Sequence, residues 1–451
     1  MEKKIDLPLD RRKFLKSSGI AVAALAFPHL WIPNELYSQR RWAKIIPGKP
    51  IKIGIIYSQT GFMGIVEKDQ YKVALMVIDE INRAGGIHGA KLLPVVRDPG
   101  SLWKNYAKYA RELMKENVNI FWACYTSASR EAILPSIQRG GAVLFYPTYY
   151  EGRECTENMI MTGSCPNQQV NASIPWIIDR TGPKTYFVGS NYIYPRTMNK
   201  AAKLVLKRSG GRLMGEKYID LNVNQESGFR EVIRDIKRKR PDWVFSNVVG
   251  DSNVAFMRAY KKAGLTADEM PILSCPLTEA EILGVGIEYC LGHYTSFTYF
   301  QSVKRRENRR FIRQYKEFHD SHPEWRQETV VTAGVMQASY IGMLACQKAL
   351  IKANSAHPMA IVEACKGMTI KAPEADIKID PGNLHTWLRP RIGQVNSKGQ
   401  FDIVDEAAST IRPEVFSEKL DRGKECKNGG QYFVRGRKVP RRRVTRTIVA
   451  Q

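Results

Sequence analysis

The sequence predicts an α/β protein of two doubly wound parallel-sheet lobes. Three observations carry that expectation. Short β-rich runs alternate with longer stretches of helical spacing from about residue 50 to 300, and the alternation falls into two separate series. Strands separated by helices of 10–18 residues imply parallel sheets covered on both faces. At 451 residues the chain also exceeds one ordinary domain.

The first series opens with the strand Ile51-Lys52-Ile53-Gly54-Ile55-Ile56 and a helix over residues 66–83 that stops at Gly85-Gly86. A strand at 91–96, a helix at 102–116, a strand at 119–123, a helix at 129–139 and a strand at 142–146 follow. The second series begins near Asn171, with strands at 185–188, 212–218, 243–248 and 272–274 and helices at 196–208, 228–239, 252–263 and 278–283. Beyond residue 300 helices are expected at 306–319, 329–353 and 358–366, and a strand-rich finish over 377–404.

Composition narrows the function. Hydrophobic residues make up 43% and charged residues 25%, a globular balance. No run of 18 apolar residues marks a membrane span. Eight cysteines, none in a C-x-x-C pair, make neither a disulfide scaffold nor a zinc site. The net charge of +25 is uneven: residues 1–46 hold nine Lys/Arg against four acids, and residues 416–451 hold eleven against three. The remainder carries +12 without a basic stripe interleaved with aromatics, which argues against a nucleic-acid partner.

The two ends read differently from the middle. Asp10-Arg11-Arg12-Lys13-Phe14-Leu15-Lys16, a weakly apolar stretch to Ala26 and the small-residue site Ala24-Leu25-Ala26 resemble a twin-arginine export signal. Residues 1–46 are therefore expected to be signal and linker, with a periplasmic or extracytoplasmic destination. That compartment permits disulfides. Cys155 and Cys165 either close a small ring or remain two buried thiols. Residues 414–451 lack apolar periodicity and are expected to be a disordered basic tail, solvated or resting on an anionic surface. His319 and His322 read as exposed residues at a helix end, not as metal ligands.

Ligands of open α/β sheets bind beyond the carboxyl ends of the strands. Those ends here carry Cys124-Tyr125-Thr126-Ser127, Tyr146-Pro147-Thr148-Tyr149-Tyr150-Glu151-Gly152, Gly189-Ser190-Asn191-Tyr192-Ile193-Tyr194-Pro195-Arg196 and Gly250-Asp251-Ser252-Asn253. Small hydroxyls, tyrosines and one acid recur, while no phosphate loop, metal helix or Ser–His–Asp order appears. In wording and order these segments resemble the extracytoplasmic type I solute-binding proteins, in the branch that takes urea and short-chain amides. Thr278-Glu279-x-Glu281, His293-Tyr294, Phe300-Gln301-Ser302, Ala372-Pro373-Glu374, Ile379-Asp380 and Asn383-x-His385 extend the likeness over about residues 50–413. The basic tail and the basic surface depart from it.

The resemblance implies a type I periplasmic binding protein fold, two lobes joined by a three-segment hinge, closing on a small solute for delivery to an ABC permease. The crossings are expected near Pro166, Phe297 and Lys371. One lobe then holds residues 47–166 and 298–370, the other 167–297 and 371–413. No cofactor is expected. Urea offers one carbonyl acceptor and two NH2 groups, and each bond left unmade in a dry site costs ~1–3 kcal/mol.

Ser127 at a helix start and Thr148 at the next strand end suit the carbonyl oxygen. Asp251, when ionised, accepts N–H groups from the opposite lobe. Tyr125, Tyr146, Tyr192 and Tyr194 supply flat walls with polar tips. Tyr150 and Glu151 read as structural. A branched-chain or other amino-acid-binding protein of the same fold, or an extracytoplasmic amide sensor, remains the alternative. An amidase is disfavoured, because Cys124 has no basic neighbour in sequence to activate it.

Overall fold

In the computed structural model, residues 42–325 and 329–421 are described, with the short stretches 424–427, 431–434 and 437–438. The first series folds as β1 (Ile51–Ile56), α1 (Gly64–Arg83), β2 (Leu92–Arg97), α2 (Trp103–Lys115), β3 (Ile120–Ala123), α3 (Ser127–Arg139), β4 (Val143–Tyr146) and β5 (Met159–Met161). The sheet order is β2-β1-β3-β4-β5, with every pairing parallel. Successive side chains of a strand point to opposite faces. Trp122 and Phe145 accordingly enter a core on one face, and Phe121 and Leu144 a core on the other. Covering both faces is what makes these strands read as continuous apolar runs.

The second series comprises α4 (Val170–Thr181), β6 (Lys184–Ser190), α5 (Ile193–Arg208), β7 (Arg212–Ile219), α6 (Arg230–Lys239), β8 (Trp243–Asn247), α7 (Asp251–Lys262), β9 (Ile272–Ser274), α8 (Glu279–Val285), α9 (Ile287–Cys290) and β10 (Tyr294–Phe297). The chain then returns through α10 (Arg306–Asp320), α11 (Gly334–Ala353), α12 (Pro358–Cys365), β11 (Thr369–Lys371), β12 (Asp376–Ile379) and β13 (Thr386–Trp387), and finishes with β14 (Arg391–Val395) and β15 (Phe401–Glu406). The second sheet runs β15-β14-β10-β9-β8-β6-β7. It is parallel from β7 to β10 and gains an antiparallel edge in β14 and β15. That edge falls in the strand-rich finish expected over 377–404, whereas β5, three residues long, is too short for the alternation to announce.

The third passage between lobes lies later than Lys371. Ile377, Ile379, Leu384 and Leu388 bury in the first lobe's core, and Ile392 is the next residue in the second lobe's core. Residues 371–388 therefore pack with the first lobe. Arg391, 3% exposed, stitches the passage: its guanidinium donates to the Thr298 and Glu374 carbonyls and to Glu406. Gln168 Nε2 donates to the carbonyls of Thr386 (3.0 Å) and Ile411 (2.9 Å).

Two expectations for the cysteines and the tail are corrected. Cys155 pairs with Cys426, 271 residues away, while Cys165 is a buried free thiol. Loop spacing left a local ring and two buried thiols as alternatives; Cys165 is such a thiol, but Cys155 is not, because the fold returns the tail to the first lobe. Rather than being wholly irregular, the tail contains α13 (Glu418–Asp421) and an antiparallel sheet of β16 (Lys424–Lys427), β17 (Gln431–Val434) and β18 (Arg437–Lys438). His319 is buried against Tyr315 and Trp325 instead of exposed, because Trp325 folds back over the end of α10. The export motif and residues 439–451 lie outside the described residues.

Candidate functional site

Each sheet reverses its winding at a switch point, between β1 and β3 in the first and between β6 and β8 in the second. Loops leaving the two sides of a switch point diverge and open a crevice. The segments singled out from the sequence leave β3, β6 and β8, and those after β4 lie one strand along. The two crevices meet. Met63, Val66, Tyr125 and Tyr149 of the first lobe share one apolar cluster with Tyr192, Tyr194, Phe297 and the rest of the second lobe's core. The Asp251 amide donates across the cleft to the Phe62 carbonyl at 3.3 Å, so the lobes are closed on one another.

Tyrosine rings fill the meeting point. The Tyr125 and Tyr149 hydroxyls are hydrogen-bonded at 2.7 Å, and their rings stand edge to face. Tyr149 also packs edge-on against Tyr194, centroids 5.3 Å apart, and against Phe297 at 5.4 Å. Tyr192 lies beside Tyr194 at 6.3 Å. In an extended segment only one of these two would face the cleft. Tyr192 instead ends an extended stretch and Tyr194 sits in the first turn of α5, which brings both to the cluster. The Tyr194 hydroxyl donates to Asn247 Oδ1 at 3.1 Å. Burial pushes all four phenols well above their usual pKa, so they stay neutral donors.

Of the other predicted residues, Tyr146 lies in the first lobe's core, where its hydroxyl donates to the Tyr125 carbonyl at 2.9 Å and braces that loop. Thr148 accepts from Gln70 Nε2 (3.3 Å) and donates to the Cys124 carbonyl (3.4 Å). Ser127 is the first residue of α3, whose cap is Thr126 through a 3.0 Å bond from the Ser129 amide. The Ser127 hydroxyl donates to Glu151, which is ion-paired to Arg130 at 2.7 Å with both side chains buried. A serine tied to a buried carboxylate supports the loop more than it serves a ligand.

Asp251 follows Gly250 at the start of α7, half-buried, its carboxylate unpaired among the described residues. Desolvation raises its pKa. Helix N-terminal amides favour an acceptor at that end.

Sequence reading missed several contributors. Tyr149 stood in a quoted motif without a role. Glu281 accepts from Asn253 Nδ2 (3.3 Å) and the Thr278 amide (3.2 Å), and burial pushes it up to about 8. Its Thr-x-x-Glu spacing signals a capping box, which it also forms. Gln70 Oε1 beside Thr148, and Ser252 Oγ beside Asp251, are buried without a hydrogen-bond partner. A buried polar atom left unpaired is costly, so these atoms suit a ligand carrying both donors and an acceptor. Cys124 is buried and its thiol pushed well up, the opposite of an activated nucleophile. Among the described residues no group of His, Cys, Asp and Glu has the geometry to hold a metal.

Two α/β lobes closed over a polar, tyrosine-walled cleft at their strand ends define a type I periplasmic binding protein. The chain belongs to the periplasmic binding protein domain family, whose model matches residues 51–422. Among solved structures it is similar to an ABC-transporter solute-binding protein from R. palustris in complex with 4-hydroxybenzoate. The TM-score is 0.70 at 18% identity, covering 80% of this chain and 98% of that one. A second R. palustris protein, in complex with benzoate, gives 0.72 at 14% identity over 81% and 99%. The closed leucine-, isoleucine-, valine-, threonine- and alanine-binding protein from Brucella ovis gives 0.70 at 16% identity over 82% and 99%. A limonene hydroxylase from Geobacillus stearothermophilus is 34% identical over 120 residues, and this chain spans only 21% of its length.

Proposed function

We propose that the protein is an extracytoplasmic binding protein that traps urea or a short-chain aliphatic amide between its lobes and delivers it to an ABC importer. The observation that carries the reading is the chemistry of the closed cleft. Neutral phenols from both lobes wall it, and at the start of α7, where the Asp251 amide meets Phe62, stand the half-buried Asp251 carboxylate and the Ser252 hydroxyl, which is buried without a hydrogen-bond partner. A neutral, planar solute with one carbonyl and N–H groups answers that set. An amino acid is the competing reading, since its carboxylate would use the amides at the start of α7 and its ammonium Asp251. In the amide reading Asp251 takes N–H groups, and Ser252 with the α7 amides meets the carbonyl.

The ligand's size sets the affinity. Urea has four non-hydrogen atoms, and the best tiny ligands gain about −1.5 kcal/mol per atom. The ceiling is roughly −6 kcal/mol, tens of micromolar. Calorimetric titration with urea, acetamide, leucine and benzoate in turn tests the proposal. Saturable binding of urea or acetamide, weakened at least tenfold by Asp251→Ala, supports it. Leucine or benzoate binding without an amide response replaces the solute class and retains the scaffold.

A further inference from the structure

The central ring of the tyrosine cluster belongs to a residue for which the chemistry of urea capture has no need. Tyr149 leaves the first lobe after β4 and lands among rings of both lobes: Tyr125 at 5.8 Å, Tyr194 at 5.3 Å and Phe297 at 5.4 Å, each edge to face. It is 3% exposed, and its hydroxyl has a partner in Tyr125. A phenol ring thus already occupies the aromatic slot between the lobes, with edge-to-face contacts and a hydrogen bond satisfied. From this we infer that Tyr149 is the specificity-determining residue of the cleft: a built-in plug that sets the upper size of the solute and excludes ring-bearing ones.

The inference rests on the reading of the cleft as a solute site and deepens it to non-cyclic solutes of a few heavy atoms. The physical basis is close packing. Interiors admit little free volume, so a solute ring and the Tyr149 ring compete for one space. Removing the ring leaves an apolar slot comparable to the engineered cavities of about 150 Å3 that accept benzene. The slot would keep the Tyr125 hydroxyl as a partner for a phenol.

The test compares the wild type, Tyr149→Ala and Tyr149→Phe by calorimetry and thermal shift, with phenol and p-cresol as probes. The proposal expects Tyr149→Ala to bind phenol at least tenfold more tightly than the wild type does, and to be stabilised by it. Tyr149→Phe should reject phenol, as the ring remains. Tyr149→Ala indifferent to phenol overturns the plug. Should that variant fail to fold, the wild type alone decides: benzamide must fail to bind where acetamide is tried beside it, and benzamide binding overturns the proposal. The two readings fail separately. Phenol uptake by Tyr149→Ala without amide binding by the wild type keeps the plug and discards the amide.

Discussion

Gly250→Ala perturbs the closed cleft at a single point. Gly250 precedes α7 with φ +62° and ψ −146°, a region that is essentially reserved for glycine. A Cβ placed there lies 2.7 Å from the Phe62 carbonyl oxygen, which belongs to the opposite lobe. Two costs follow, and they fall on different states. The backbone strain, about 1–3 kcal/mol, is present whether the lobes are open or closed and lowers the stability of the fold. The clash exists only when the lobes close, and overpacking of this kind costs about 1–3 kcal/mol.

A ligand that binds the closed state meets that second cost in full, which corresponds to roughly 5- to 150-fold weaker binding. Thermal melts in the absence of ligand read the first term, and the dissociation constant of the captured solute reads the second. Small-angle scattering with and without solute adds the degree of closure. Unchanged affinity alongside a lowered melting temperature refutes the reasoning, since the Phe62–Gly250 approach would then be no part of the ligand-bound state.

Other outcomes follow from the same structure. Arg130→Met strands the buried Glu151 carboxylate and should cost about 3–5 kcal/mol by denaturant melts, whereas the double change with Glu151→Leu should recover much of it. Glu279, Glu281 and Glu374 are each pushed up to about 8 by burial, so the folded state holds protons that the unfolded chain releases above its ordinary carboxylate pKa near 4.5. Their contribution is fully present below pH 4.5 and is lost as pH rises through about 8, and Glu281→Gln should flatten part of that decline in melts between pH 5 and 8. Cys426→Ser releases the tail from the first lobe. Its signature is rapid proteolytic trimming after residue 421 at nearly unchanged affinity, because the cleft residues do not touch Cys426.

Much of the fold was legible because its signals are local. Apolar runs of four to eight residues between helical stretches fix the parallel strands, and Gly85-Gly86 and Thr126 mark helix ends by their own backbone and side-chain chemistry. The strand-end motifs placed Tyr125, Tyr192, Tyr194 and Asp251 at the cleft, since α/β topology leaves few other positions for loops after the strands. Ser127 and Tyr146 were read from the same motifs, yet each proved to be engaged within the first lobe. Residue type and spacing do not reveal which partner a hydroxyl finds.

Tertiary structure alone decided the rest. Cys155 finds Cys426 rather than Cys165 because a 271-residue excursion returns to its starting lobe, a distance that no spacing rule encodes. The third lobe passage falls after Leu388 because β12 buries Ile377 and Ile379 in the first core, and alternation says which face is apolar without naming the core it meets. Tyr149 became central only when two lobes closed on it. Local signals set the elements and the strand ends that carry polar side chains; packing between distant segments decided which of those side chains face the cleft.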